Sequence, residues 1–176
     1  TSIGIGKDDF WANLIQGKSG ISEITAFDTS QYPTHLGGQV KDFYPQDFLP
    51  KDKINKLGRA SALALSASRL AIRDSGLDTE SFDKSRCAVV LGTTMGESQV
   101  LEVINYEWVK KVHDYIDAGL ASRFSTNLLS VNVAADFGFS GPGFVIPTAC
   151  AAGNYAIGYA SDMLKRGIID MALAGG

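Results

Sequence analysis

From Gly58 to Ser75 the chain reads GRASALALSASRLAIRDS, and apolar residues recur there at three- and four-residue intervals. The spacing predicts a helix with Ala60, Leu63, Ala64, Ala67, Leu70 and Ala71 on its inner stripe, closed by Gly76. Three other stretches show the same period. DDFWANLIQGKSG is a short helix with Asp8 as its cap, Phe10, Trp11, Leu14 and Ile15 on one face, and Gly17 as its stop. ESQVLEVINYEWVKKVHDYIDAG is a long helix striped by Leu101, Ile104, Trp108, Val112 and Tyr115, and STNLLSVNVAADFG is a shorter one that ends before the turn SGPG.

Between these helices lie short apolar runs bounded by glycine and proline. CAVVLGTT has the length and composition of a strand buried on both faces, and FVIPT and DMALAGG read as two further strands. A further helix is expected from Cys150 to Arg166, with its stop at Gly167. Residues 22 to 55 carry three of the five prolines among isolated aromatics, a composition of turns and short extended pieces over a surface. Strands alternating with helices predict an α/β fold, with a parallel or mixed sheet and helices on both faces. No internal repeat or low-complexity tract divides the 176 residues, so the chain is read as a single unit.

Composition narrows the function more than the fold. A net charge of -3 offers no electrostatic reason for nucleic acid or an anionic membrane as partner. No apolar run reaches the roughly 18 to 20 residues that cross a bilayer, and the first residues lack a basic segment followed by an apolar one. The expectation is a protein of the cytoplasm. The two cysteines, Cys87 and Cys150, have neither disulfide-framework nor zinc-ligand spacing, so no metal is expected.

Cys150 is the residue that points to chemistry. It lies in VIPTACAAGNYAIGYA, between a strand and a helix of small residues with no charge before Asp162. A side chain at such a turn stands at the edge of a parallel sheet, where ligands of these folds bind. The N–H groups and dipole of the helix start favour a thiolate and can hold an oxyanion. The alternative is a small hydrophobe in a core, as most free cysteines are. An uncharged helix is also expected to be buried all round, and to expose apolar surface if this chain supplies no second layer. Cys87 opens a strand with no helix behind it and is read as structural. His113, among Lys110, Lys111 and Asp114, and His35, in a loop, are read as solvated.

PTACAAGNYAIGYASDMLKRGIIDMALAGG resembles the active-site segment of the β-ketoacyl synthases, the condensing enzymes of fatty acid and polyketide synthesis. FWANLIQGKSGISEITAFDTSQYPTHLGGQVKDFYPQDFLP is similar to that family's opening segment, ALALSASRLAIRDSGLD to its first long helix, and AVVLGTTMGES to the strand and loop that follow. The resemblance implies a thiolase-like fold over residues 1 to 176 as an N-terminal domain. The family's first strand and its C-terminal half, with two catalytic histidines, would lie outside this chain, and the segment alone would be inactive.

It further implies that Cys150 accepts the acyl group and that Met95, in GTTMGES, contacts the substrate where the family gates its acyl pocket. Residues 97 to 126 fall on the dimer-facing wall of that pocket. Acyl carrier protein is the implied partner, together with a second synthase subunit, identical or related. No cofactor is implied. Lys51, Lys53, Lys56 and Arg59, in PKDKINKLGR, lie where basic residues meet the acidic carrier; the alternative is a solvated helix start. The chain departs from the family at Ala151 and Ala152, where most relatives carry a hydroxyl. A thiolase and a non-catalytic partner subunit are the rival readings.

Overall fold

The computed structural model describes residues 1–111, with the backbone alone at Lys111, and residues 118–176. They form two compact units, Thr1–Tyr44 and Pro45–Gly176. The expected single unit is therefore divided at the start of the proline-containing stretch that precedes the long helix.

The first unit holds helix α1 (Gly6–Ile15) and an antiparallel pair, β1 (Ser22–Glu23) with β2 (Leu36–Gly37). Helix α1 begins three residues earlier than its sequence suggests. Its cap position is Ile5, which makes no side-chain cap, and Asp8 sits inside the first turn. There its charge still suits the helix dipole. The expected inner stripe is not buried, since Trp11, Leu14 and Ile15 are all exposed. A unit of this size has too little chain to cover an apolar helix face. The Gln39 side chain ties the unit together by accepting from the Thr25 and Ala26 N–H groups and donating to Thr25 Oγ1.

The second unit is built on a three-stranded sheet in the order β4 (Gly143–Ile146), β3 (Cys87–Gly92), β5 (Met171–Gly175). All three strands are parallel, in register from Val89 opposite Gly143 and from Cys87 opposite Met171. The central strand β3 is buried along its whole length, as its unbroken apolar run requires. A bidentate pair from Arg86 to Asp170 joins the start of β3 to the start of β5, with N–O distances of 2.6 and 2.7 Å.

Helices pack on both faces of this sheet. On one side, Ala156, Ala160 and Met163 of α7 (Ala152–Lys165) form a core with Ala88, Val90 and Ile169. Alternation sends Cys87, Val89 and Leu91 to the other side. There α6 (Leu128–Phe137) packs against β3 and β4, and α3 (Arg59–Ser75) packs on α6. The expected glycine stops at Gly17, Gly76 and Gly167 all have positive φ.

Two expectations about helix faces are corrected. In α3 the buried residues are Ser61, Ala62, Leu65, Ser66 and Ser68, while Ala67 and Ala71 are exposed. Serine's small size lets α6 approach closely, a preference that counting apolar residues misses. In α7 only Ala152, Ala156, Ala160 and Met163 are buried, and Tyr155, Ile157, Tyr159 and Leu164 are exposed. The helix is covered on one side only, so the apolar surface expected of an unpaired central helix is present.

Helix α4 (Ser98–Lys111) forms as expected, and α5 (Ala118–Ala121) follows. Val100 and Ile104 are its buried residues, whereas Leu101 and Trp108 of the expected stripe are exposed. Val112, His113 and Tyr115 lie outside the described residues. Among those described, no helix is long and apolar enough to cross a membrane.

Candidate active site

A cleft opens at the carboxyl ends of all three parallel strands. After β3 it is lined by Gly92, Thr93, Thr94 and Met95, after β4 by Ala149, Cys150, Ala152, Gly153 and Asn154, and after β5 by Gly176. Ligands of open parallel sheets bind at this edge because strand ends and helix starts converge there. Its volume is about 650 Å³, the size of a small-molecule site. Among the described residues of the lining, Cys150 carries the one ionisable side chain.

Three features place the cysteine. Cys150 sits in a 3-10 turn, Ala149–Ala151, and the α-helix proper begins at Ala152, two residues later than its sequence suggests. Ala149, just before it, has φ +49°, the one positive φ outside glycine among the described residues. Such a conformation costs a residue with a Cβ roughly 1–2 kcal/mol and persists only where surrounding contacts impose it. The Ala149 N–H donates to Thr94 Oγ1 at 2.9 Å, which is one such contact.

Neither the 3-10 turn nor α7 has a side-chain cap. In this turn the Ala149, Ala151 and Ala152 N–H groups already donate, to Thr94 Oγ1 and to the Thr148 and Ala149 carbonyls, which leaves the Cys150 N–H as the donor suited to negative charge on a bound oxygen. The Cys150 side chain is exposed to the cleft. The residue therefore combines an accessible thiol with its own backbone donor.

Gly92 sets how closely strand and helix approach. A Cβ there would lie within the van der Waals radius of the Ala152 carbonyl, and the contact is backbone, which cannot turn aside. Gly92→Ala is expected to lower stability by at least about 2 kcal/mol, the range for overpacking a rigid contact. It should also slow any reaction at Cys150, because relief requires moving the turn that carries the thiol. Thermal melting and alkylation of Cys150 together test this.

The loop after β3 is pinned at its far end. Glu97, with 2% of its surface exposed, accepts from the Ser61 N–H at 2.6 Å and the Ala60 N–H at 3.2 Å, capping α3. Between the strand and this anchor Met95 projects into the cleft, 70% exposed. Met95 and Cys150, distant in sequence, thus share one site. Thr94 and Asn154 join them without a sequence signal that marked either; Thr94 lies inside the loop motif but carries no unusual spacing.

The other candidates fall elsewhere. Cys87 is fully buried; its thiol donates to the Asp83 carbonyl at 3.3 Å, and burial pushes it above the usual thiol range. Lys51 and Lys53 lie on α2 (Lys51–Ile54), Lys56 follows it, and Arg59 opens α3. The Lys53 ammonium is bound by Asp136, a carboxylate with 3% of its side chain exposed that also holds Arg69. Lys53 thus serves an internal ion pair, because the buried carboxylate requires cations. His35 Nδ1 contacts Thr29 Oγ1 at 3.0 Å within the first unit, and His113 lies outside the described residues.

The comparisons with known proteins agree with this geometry. Residues 1–176 match the family model described as "Beta-ketoacyl synthase, N-terminal domain". The chain is 32% identical to the 3-oxoacyl-[acyl-carrier-protein] synthase II, chloroplastic, of Arabidopsis thaliana, over all of this chain and 33% of the relative. It is 30% identical to a 3-oxoacyl-[acyl-carrier-protein] synthase 2 of Staphylococcus aureus, over 94% of this chain and 41% of the relative. It therefore spans between a third and two-fifths of these relatives' lengths. Among solved structures, the ishigamide ketosynthase/chain length factor superposes with a TM-score of 0.90 at 34% identity, covering 99% of this chain and 44% of that one. With the whole length matched and the cysteine turn at the sheet edge, the chain belongs to the β-ketoacyl synthase family, as its N-terminal domain.

Proposed function

We propose that this chain is the nucleophile-bearing part of a 3-oxoacyl-acyl-carrier-protein synthase, working in fatty acid or polyketide synthesis. The observation that carries the reading is the exposed thiol of Cys150, in an uncapped turn at the sheet's carboxyl edge, in a cleft where it is the one ionisable side chain among the described residues.

The Cys150 thiolate attacks the carbonyl carbon of an acyl-carrier thioester. The tetrahedral oxyanion accepts from the Cys150 backbone N–H, the carrier's thiolate leaves, and the acyl group remains on sulfur. A malonyl unit then loses CO2, and its carbanion attacks the same carbonyl and displaces Cys150. Sulfur suits both halves, since a thiolate attacks thioesters readily and departs readily. The carboxylate lost as CO2 needs proton-handling groups that the family resemblance places after residue 176.

Met95 contacts the acyl chain in this reading, being exposed beside the thiol. The acyl carrier protein docks on the basic stretch through Lys51, Lys56 and Arg59, with Lys53 retained by Asp136. A second synthase subunit, the same or related, packs along the wall that the resemblance assigns to residues 97 to 126, of which 112–117 lie outside the described residues. A reducing aqueous compartment such as the cytoplasm fits, because Cys150 has to remain a thiol.

The test is intact mass of the full natural chain after incubation with straight-chain acyl carrier protein thioesters from acetyl to palmitoyl, with peptide mapping, followed by addition of malonyl carrier. Acyl mass on Cys150 and a 3-oxoacyl product that requires malonyl carrier are expected. Condensation with acetyl-CoA and no malonyl requirement would make the protein a thiolase instead. No acyl transfer at all would make it a non-catalytic subunit.

A further inference from the structure

We infer that Thr94 is a positioning residue for the nucleophile: its hydroxyl holds Ala149 in the left-handed conformation that sets Cys150 in the cleft. This rests on the reading of Cys150 as the acyl acceptor.

Two independent observations meet here. Ala149 has φ +49°, a conformation that a residue with a Cβ leaves unless it is held. Its N–H donates to Thr94 Oγ1 at 2.9 Å, across 55 residues of sequence. The bond fixes the Thr148–Ala149 peptide plane, one residue before Cys150. Without it, Ala149 is free to relax toward negative φ, and the following residue moves with it.

The hydroxyl is itself delivered by a constrained loop. Thr93 Oγ1 accepts from the Gly96 N–H at 3.2 Å, and Gly96 has φ +51° against the side chain of Thr126. Glu97, immediately after, is bound to the start of α3 through the Ala60 and Ser61 N–H groups. β3 fixes the loop at one end and Glu97 fixes it at the other. Thr94 therefore presents its oxygen from a rigid support rather than from a swinging surface chain, and the loop that carries Met95 is tied to the turn that carries the thiol.

Acyl transfer needs the sulfur and the oxyanion donors in one geometry, so a small displacement of the turn lowers the rate while leaving the docking of the donor unchanged. Single-turnover acyl loading of the full natural chain tests this, with the best donor of the acyl carrier panel. Thr94→Val is expected to slow the maximal loading rate roughly tenfold to fiftyfold, with the half-saturating donor concentration and the melting temperature unchanged. Thr94→Ala should show the same loss without the branched side chain, which covers a valine variant that misfolds. Thr94→Ser, which keeps the hydroxyl, should load within about threefold of the parent, the spread allowed for a retained hydrogen bond.

Parent-like loading by the valine and alanine variants would overturn the inference. Equal loss in the serine variant would also overturn it, since packing and not the hydrogen bond would then be responsible. If the parent itself carries no acyl group on Cys150 while Thr94 variants alter nothing, it is the functional reading that has failed.

Discussion

Replacing Cys150 with alanine leaves the protein without an acyl adduct. Incubated with acyl carrier thioester and measured by intact mass, Cys150→Ala retains its unmodified mass under conditions in which the parent gains one acyl group. The loss in rate should be on the order of 10⁴-fold or more, because the step is a covalent bond to the atom removed and no neighbour can take its place. Among the described residues the cleft offers no other ionisable side chain. Alanine keeps the turn's backbone, so folding and donor docking should survive, which separates the chemical defect from a structural one.

Cys87→Ala is the matched comparison. Its thiol is fully buried at the start of β3, and burial disfavours the thiolate. The substitution removes a buried sulfur, at a cost of about 1 kcal/mol for a small cavity, and should leave acyl loading within about twofold of the parent. Mapping that placed the acyl group on Cys87 would remove the mechanism as written.

Asp136→Ala produces the largest expected loss of stability. The Asp136 carboxylate accepts from Arg69 Nε at 2.7 Å, from Arg69 Nη2 at 2.8 Å and from Lys53. Arg69 Nη1 also donates to the Phe48 carbonyl at 3.0 Å, so the cluster ties α2, α3, α6 and the segment before α2 together. Breaking a buried pair costs about 3–5 kcal/mol when the remaining charge stays buried. Arg69 and Lys53 keep 34% and 38% of their side chains exposed and can be hydrated, so a cost of about 2–3 kcal/mol is expected here. For a chain of this size that corresponds to a fall of about 5–10 °C in melting temperature.

The same carboxylate makes stability depend on pH in a definite direction. Burial pushes the Asp136 carboxyl up, but the hydrogen bonds and charges of Arg69 and Lys53 outweigh it and hold it below the ordinary value. Because the folded value is the lower one, the contribution is complete above the unfolded carboxylate pKa of about 3.9. It declines as pH falls below that and through the folded value. Denaturant midpoints taken from neutral pH downward should therefore converge for the parent and Asp136→Ala at the acid end. A gap that widens toward acid would contradict this account of the cluster.

The strands of the second unit were legible as short apolar runs bounded by glycine and proline, CAVVLG, GFVI and MALAG, and β3, with a strand on either side, is buried along its whole length. Helix positions followed from period and glycine stops. Helix faces did not, as α3 shows: its packed side is marked by Ser61, Ser66 and Ser68, whose value is small volume, and polarity conceals it. The fault in α7 is different. An uncharged helix implies burial, but whether a covering layer exists is decided by other chain, and here Tyr155, Ile157 and Tyr159 face outward.

The candidate site divides in the same way. Sequence alone determined that Cys150 stands between a strand and a small-residue helix, that Cys87 belongs to a core, and that GTTMGES borders a strand end, because each of these is a local property of a few neighbouring residues. Only the tertiary structure decided that Met95, Thr94 and Cys150 line one cleft, that Ala149 adopts a strained φ held by Thr94, and that Lys53 is bound to Asp136. The physical reason is range: hydrophobic period and turn chemistry act within a few residues, whereas a cleft forms from whichever strand ends the parallel pairing of the sheet brings side by side.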